Sequence, residues 1–270
     1  HIDYEAKKIT AKIPLRGDEN KYLSNNRSTA VSVLNGECKK LENDPEARAI
    51  VIKAFNKFLI NNFAVKFDDL DKDVQEMINS KVSYYLPWRT VYKDSVTSPA
   101  RPVMDASSNT PVMPDGTGGR SLNDLSMKGK VSSLSLINML LRFVVGKVGF
   151  TGDLKAFYPS IALHQSQWNL QRLLWREDLN IDNPIIELIM ISLIYGVRSV
   201  PALTETAILS IAEHITDVFP RLAEMLILSR FVDDIGDSVD NTEAAKDLIA
   251  KADELFTSVG LKCKGWSVSG

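Results

Sequence analysis

The sequence predicts an α+β fold, an antiparallel sheet with helices on one face. Three features point to it. Val148–Leu154 reads as an apolar strand running straight into a polar turn. Residues 225–239 read as strand, turn, strand, with Asp233 and Asp234 at the turn. Ala245, Leu248, Ile249, Ala252, Leu255 and Phe256 recur at helical spacing and are closed by Gly260. Helical and extended patterns alternate irregularly, as in α+β folds rather than repeated βαβ units.

The N-terminal third reads as helical. Asp44-Pro45-Glu46 is a helix start, with an N-cap acid, a proline in the first turn and a carboxylate beside the dipole. Val51, Phe55, Phe58 and Leu59 follow at helical spacing. The acidic run Asp68-Asp69-Leu70-Asp71-Lys72-Asp73 is a solvated helix start rather than a metal site, because nothing fixes its carboxylates at one point. Residues 84–103 form two extended pieces around Lys93-Asp94-Ser95. Residues 109–119 hold two prolines and three glycines and form a loop. Leu134, Ile137, Leu141 and Val144 mark an amphipathic helix, and Pro201 opens another that runs to about His214.

Composition bounds the function less tightly. With 44% hydrophobic and 24% charged residues, the 270-residue chain can bury a core without staples. Cys38 and Cys263 make no disulfide framework, and His1, His164 and His214 are too scattered to join them in a metal cluster. Two free thiols suit a reducing compartment. No apolar run is long enough to span a bilayer, and the densest, 185–194, carries Glu187. The first residues lack the features of a signal peptide, and a start at His1 is expected of a chain cut from something longer. Net charge is −2 with pI near 6.0, which runs against the basic footprint of most nucleic-acid binders.

Two segments carry the chemistry. In Phe231-Val232-Asp233-Asp234, adjacent carboxylates follow an apolar run at a hairpin tip. They repel unless something neutralises them, and a divalent cation does so. A bare Asp-Asp pair is most often a solvated turn, and Asp153 taken singly reads equally as a cap after a strand. Together, an acid ending one strand and an acid pair on another can build a two-metal site. Asp153 opens the segment Asp153-Leu154-Lys155-Ala156-Phe157-Tyr158, which sets an aromatic five residues beyond the acid.

The ordered set of motifs resembles reverse transcriptases. Asp153 with Tyr158 resembles motif A. Tyr195-Gly196-Val197-Arg198-Ser199-Val200-Pro201-Ala202 resembles motif B, and Phe231-Val232-Asp233-Asp234 motif C. Arg101-Pro102-Val103-Met104-Asp105-Ala106-Ser107 is similar to a fingers segment, with Ser121-Leu122-Asn123-Asp124 after it. Leu173-Leu174-Trp175-Arg176-Glu177 and Lys264-Gly265-Trp266-Ser267 resemble BEL/Pao-type LTR retrotransposons in particular. The resemblance spans roughly residues 30–270, and its strength lies in the order of the motifs. Departures are Phe231 for the usual tyrosine of motif C, Tyr195 where retroviral enzymes carry glutamine, Met104 for a frequent aromatic, and Gly265 between Lys264 and Trp266.

The resemblance implies a right-hand polymerase fragment: a ferredoxin-like antiparallel palm sheet with helices, plus a fingers subdomain. Its expected divisions are 1–83, the helical part of the fingers; 84–147, fingers strands and loop; and 148–270, the palm. Asp153, Asp233 and Asp234 would hold Mg²⁺, with Mn²⁺ as an alternative, and the Leu154 carbonyl would be a further ligand. Tyr158 would press on the sugar 2′ position to reject ribonucleotides; its other reading is a core aromatic. Lys93 and Arg101 would hold the incoming triphosphate, Arg101 with its planar fork. Tyr195 and Gly196 would border the nucleotide, Gly196 letting template–primer approach. Lys264 would be a proton donor to pyrophosphate. The implied partners are an RNA or DNA template with primer, dNTPs, and the thumb, RNase H and integrase of a Pol polyprotein, with no membrane. The implied location is the cytoplasm, with virus-like particles and nuclear import compatible. Two other classes share such a palm: a domesticated scaffold that binds nucleic acid without chemistry, and a two-metal nuclease or nucleotidyl cyclase.

Overall fold

The computed structural model describes residues 1–94, 99–130 and 136–269; Ser95 and Leu134 lie outside the described residues. In chain order the strands are β1 (Ile2–Asp3), β2 (Lys8–Ala11), β3 (Ala64–Lys66), β4 (Trp88–Tyr92), β5 (Ala100–Met104), β6 (Val148–Leu154), β7 (Ala162–Leu163), β8 (Arg172–Arg176), β9 (Ile185–Met190), β10 (Arg230–Phe231), β11 (Asp234–Val239) and β12 (Cys263–Val268). The α-helices are α1 (Glu19–Tyr22), α2 (Arg27–Leu41), α3 (Pro45–Ile60), α4 (Lys72–Asn79), α5 (Leu122–Leu125), α6 (Leu136–Phe143), α7 (Val200–Ile215), α8 (Pro220–Leu228) and α9 (Thr242–Ser258). The fold is the mixed α+β kind expected. No helix among the described residues is long and apolar enough to cross a membrane.

Two compact units form, and neither is contiguous: 1–11, 129–161 and 201–270 make one, 12–128 and 162–200 the other. The expected divisions 1–83, 84–147 and 148–270 are contiguous, whereas the chain here passes between units four times, at 11/12, 128/129, 161/162 and 200/201.

The first unit is built on a four-stranded antiparallel sheet of order β10-β11-β6-β12. The α9 helix starts where the Asn241 side chain accepts from the Ala244 amide at 2.9 Å, and it buries Ala245, Leu248, Ala252 and Phe256. It packs on β6, β11 and β12. Residues 225–228, expected as strand, are instead the last turn of α8. Pro220 at the first helical position and Leu222, Ala223, Met225 and Leu226 buried at helical spacing settle the ambiguity of a short apolar run. The α6 helix forms, but the apolar stripe that marked it is turned out: Ile137 is 65% and Leu141 59% exposed, and Val144 lies beyond the helix. It turns Phe143 and Met139 to the sheet, where Gly149 and Gly236 leave room; a Cβ on Gly149 would fall 2.8 Å from the Phe143 ring.

The second unit holds the helices of the N-terminal third. Asp44 caps α3 by accepting from the Ala47 amide at 2.9 Å. Phe55 of α3 stacks on Trp175 at 3.9 Å between centroids, and the indole N–H of Trp88 donates to the Leu174 carbonyl at 2.9 Å. Around this aromatic core lie the three-stranded sheet β3-β9-β8 and the ribbon β4-β5.

Candidate functional site

The first unit gathers six of the ten residues singled out. Asp153, near the end of β6, pairs across the sheet with Asp234, the first residue of β11. On its other side the ladder is uneven. Leu154 pairs with Cys263 and Gly152 with Trp266, so Lys264 and Gly265 together face Asp153. A bulge of this kind bends the strand and re-aims a side chain. Here the Lys264 ammonium lies 2.7 Å from both carboxylate oxygens of Asp153. Gly152 makes the bulge possible, because a Cβ there would fall 2.6 Å from the Trp266 ring and 3.0 Å from the Cys263 sulfur. The Trp266 indole is anchored to Asp253 of α9 at 3.0 Å.

Phe231 and Asp234 pair to close a two-residue turn, Val232-Asp233. Val232 takes a left-handed φ of 57°, at a turn position glycine usually holds. For a β-branched residue this is strain on the order of 1–3 kcal/mol. The turn is tied down twice. The Asp233 carbonyl accepts from the Leu154 amide at 2.8 Å, and the Val232 carbonyl accepts from the Arg230 guanidinium. Arg230 is buried, pairs with the buried Glu205 of α7, and lies over the Phe157 ring.

The carboxylates feel one another. Partial burial raises the pKa of Asp234 above the ordinary carboxylate value, the charges of Asp233 and Asp153 push it further, and Lys264 pulls it back. Among the described residues no three His, Cys, Asp or Glu side chains close into a ready metal cage. Lys264 meanwhile holds both oxygens of Asp153. The donor set is oxygen only, carries more negative charge than Lys264 offsets, and stays partly open, with the Asp153 side chain 38% exposed. Those traits fit Mg²⁺, which takes one or two carboxylates and fills its shell with water and phosphate.

Leu154 has its side chain in the core. Tyr158 follows a turn in which Ala156 adopts φ 48°, and it is half-buried beside the buried Phe157. Burial raises its phenol pKa, the Asp233 charge adds to the rise, and Arg230 opposes it.

The remaining four residues lie in the second unit. Arg101 pairs with Val91, and the Lys93 amide donates to the Pro99 carbonyl at 2.8 Å, which extends the β4-β5 ladder. By this register Lys93 and Arg101 share the outer face of the ribbon, diagonal neighbours across the strands. Arg89 lies on the same exposed face, and none of the three has a salt-bridge partner among the described residues. Arg89 belongs to none of the sequence motifs, although its two-residue spacing from Val91 and Lys93 signals a shared face. Tyr195 is 52% exposed. Gly196 has φ 105°, and a Cβ there would fall 2.6 Å from the Met104 carbonyl oxygen. Its own carbonyl accepts from Asn123, whose side chain also accepts from the Arg198 amide at 2.7 Å. Arg230 and Glu205 belong to none of the sequence motifs, and only their burial in the fold brings them to notice.

No family model and no curated protein matches this sequence. By its fold, the chain is reverse-transcriptase-like. It is similar to the foamy viral protease-reverse transcriptase in complex with an RNA/DNA hybrid, at 14% identity and TM-score 0.55 over 94% of this chain and 25% of that one. It is also similar to a selenomethionine-labelled mutant of the prototype foamy virus protease-reverse transcriptase, at 15% identity and TM-score 0.53 over 82% of this chain and 24% of the other. The chain therefore spans about a quarter of the length of these neighbours.

Proposed function

We propose that this chain is the fingers and palm of an RNA-directed DNA polymerase, part of the Pol polyprotein of a BEL/Pao-type LTR retrotransposon. The observation that carries the reading is the pairing of Asp153 with Asp234 across β6 and β11, with Asp233 in the adjoining turn. The reaction is template-directed addition of dNTPs to a primer 3′ hydroxyl. Asp153 and Asp233 would hold Mg²⁺ or Mn²⁺, with Asp234 in support and the Leu154 carbonyl as a further oxygen. When bound, the ions supply activation of the attacking oxygen and neutralisation of the phosphates. Lys93 and Arg101 grip the triphosphate, Tyr158 borders the sugar, and Tyr195 with Gly196 borders the nucleotide and template–primer. Lys264, displaced from Asp153, would hold a proton for pyrophosphate. The other Pol domains and a cytoplasmic or particle-enclosed setting belong to the same proposal.

One observation favours a second reading. Lys264 satisfies both oxygens of Asp153, which is how a scaffold without chemistry would retire its acids. Primer extension on poly-rA/oligo-dT with Mg²⁺ separates the two. Extension by the wild-type chain, lost in Asp233→Asn at unchanged folding, is expected. A folded chain that binds primer–template but adds no nucleotide overturns the polymerase reading.

A further inference from the structure

We infer that the buried Arg230–Glu205 pair is a positioning device that holds the Val232-Asp233 turn in its metal-ready shape. The inference rests on the polymerase reading of the same site. An arginine at the foot of a short hairpin is out of place in a core, yet Arg230 and Glu205 are both under a tenth exposed. Burying two charges disfavours folding unless geometry and further hydrogen bonds compensate. Here the extra bond goes to one atom of consequence, the carbonyl of Val232.

That carbonyl belongs to the strained residue of the turn. Val232 at φ 57° drifts toward ordinary extended or helical backbone unless something holds it. Any such drift rotates the next peptide and swings the Asp233 carboxylate away from Asp153 and Asp234. Glu205 belongs to α7, which buries Ile208, Ile211 and Ala212, and its carboxylate holds the guanidinium. The same guanidinium lies 5.9 Å from the centre of the Phe157 ring, one residue before Tyr158. A single buried cation thus braces both the segment after Asp153 and the turn that carries Asp233. Arg230 and Glu205 touch no reacting atom; they act through Val232.

The test replaces both charges at once, Arg230→Met with Glu205→Leu, so that no lone charge stays buried. Mn²⁺ binding is followed by electron paramagnetic resonance with primer–template bound, alongside steady-state extension. The expected result is a folded protein with Mn²⁺ affinity down at least tenfold, kcat down about a hundredfold and KM for dTTP within threefold of wild type. Adding Val232→Gly is expected to restore most of the Mn²⁺ affinity, because glycine adopts this φ without strain. A merely structural pair would show lost stability and no rescue. Wild-type Mn²⁺ binding in the double variant overturns the inference, and so does failure of Val232→Gly to restore any affinity in a folded protein. Should the double variant not fold, Glu205→Gln keeps an acceptor for Arg230 and gives a graded version. A threefold to tenfold loss of Mn²⁺ affinity is then expected, and no loss overturns the inference. A wild-type chain that neither binds Mn²⁺ nor extends primer overturns the polymerase reading and this inference with it. Active wild type with unaltered variants overturns this inference alone.

Discussion

Lys264 reaches from a bulge in the edge strand to lie 2.7 Å from both carboxylate oxygens of Asp153. The contact neutralises one of three mutually repelling acids, and it occupies the oxygens a divalent ion needs. On the proposed two-metal reading, lysine and ion would compete for Asp153. Lys264→Met is expected to lower the melting temperature in EDTA by a degree or two, since a pair this exposed contributes under about 1 kcal/mol. It is also expected to enlarge the stabilisation given by Mg²⁺. Melts in EDTA and in Mg²⁺ check both; an unchanged Mg²⁺ response means that the lysine does not compete.

Asp234 gives a pH signature. Its folded-state pKa is raised, so the folded chain holds this proton more tightly than the unfolded chain does. The stability that proton contributes is present below the ordinary carboxylate pKa and is lost as pH rises through the raised value. Asp234→Asn is thus expected to stabilise the metal-free protein at pH 7, by less than about 1 kcal/mol after solvent screening. The gain shrinks to nothing toward about pH 4. Melting curves across that range decide the matter, and a gain that grows on acidification would contradict the sign.

Gly152 keeps the bulge in place. Alanine there meets the Trp266 ring and the Cys263 sulfur at distances that oblige these two β12 side chains, which flank the bulge, to give way. A loss of about 1–3 kcal/mol is expected from such overpacking. The Lys264 contact should go with it, so Lys264→Met added to Gly152→Ala should change little further. A double-mutant cycle measures this coupling, and strict additivity would separate the bulge from the lysine.

What the sequence reveals of this arrangement follows from which forces are local. The α9 and α3 helices were legible because their caps and apolar spacing lie within a few residues. Residues 225–228 were not, because four apolar residues in a row suit a strand or a helix, and packing of Leu222 and Ala223 decided it. The outward face of α6 was illegible for a similar reason. Gly149 on β6 and Gly236 on the neighbouring β11, far apart in sequence, leave room on the side it docks. At the site, Asp153, Asp233 and Asp234 could be named from their motifs, but their register could not be read from the chain. Gly265, which separates Lys264 from Trp266 in sequence, is the second residue of the bulge that aims Lys264. Arg230 and Glu205 left no signal, since 25 residues separate them and only the fold brings them together.

Tyr158 carries the most specific prediction. Its neighbour Phe157 is 1% exposed and fills the core, whereas Tyr158 is only half-buried and lies close enough to Asp233 to feel its charge. On the polymerase reading, a ring in that place would border the sugar of the incoming nucleotide. Tyr158→Val would open space where a ribose 2′-OH sits. Deoxynucleotide insertion should fall modestly, while the preference for dTTP over UTP falls at least tenfold, because exclusion by shape is lost with the ring. Phe157→Ala serves as the contrast. It should destabilise the unit by about 3–5 kcal/mol, as truncation of a buried aromatic does, and leave sugar choice unchanged in the fraction that folds. The measurement is the dTTP to UTP insertion ratio for each variant, normalised to folded protein. If Tyr158→Val keeps the wild-type ratio and loses stability instead, the tyrosine is a packing residue and sugar discrimination resides elsewhere.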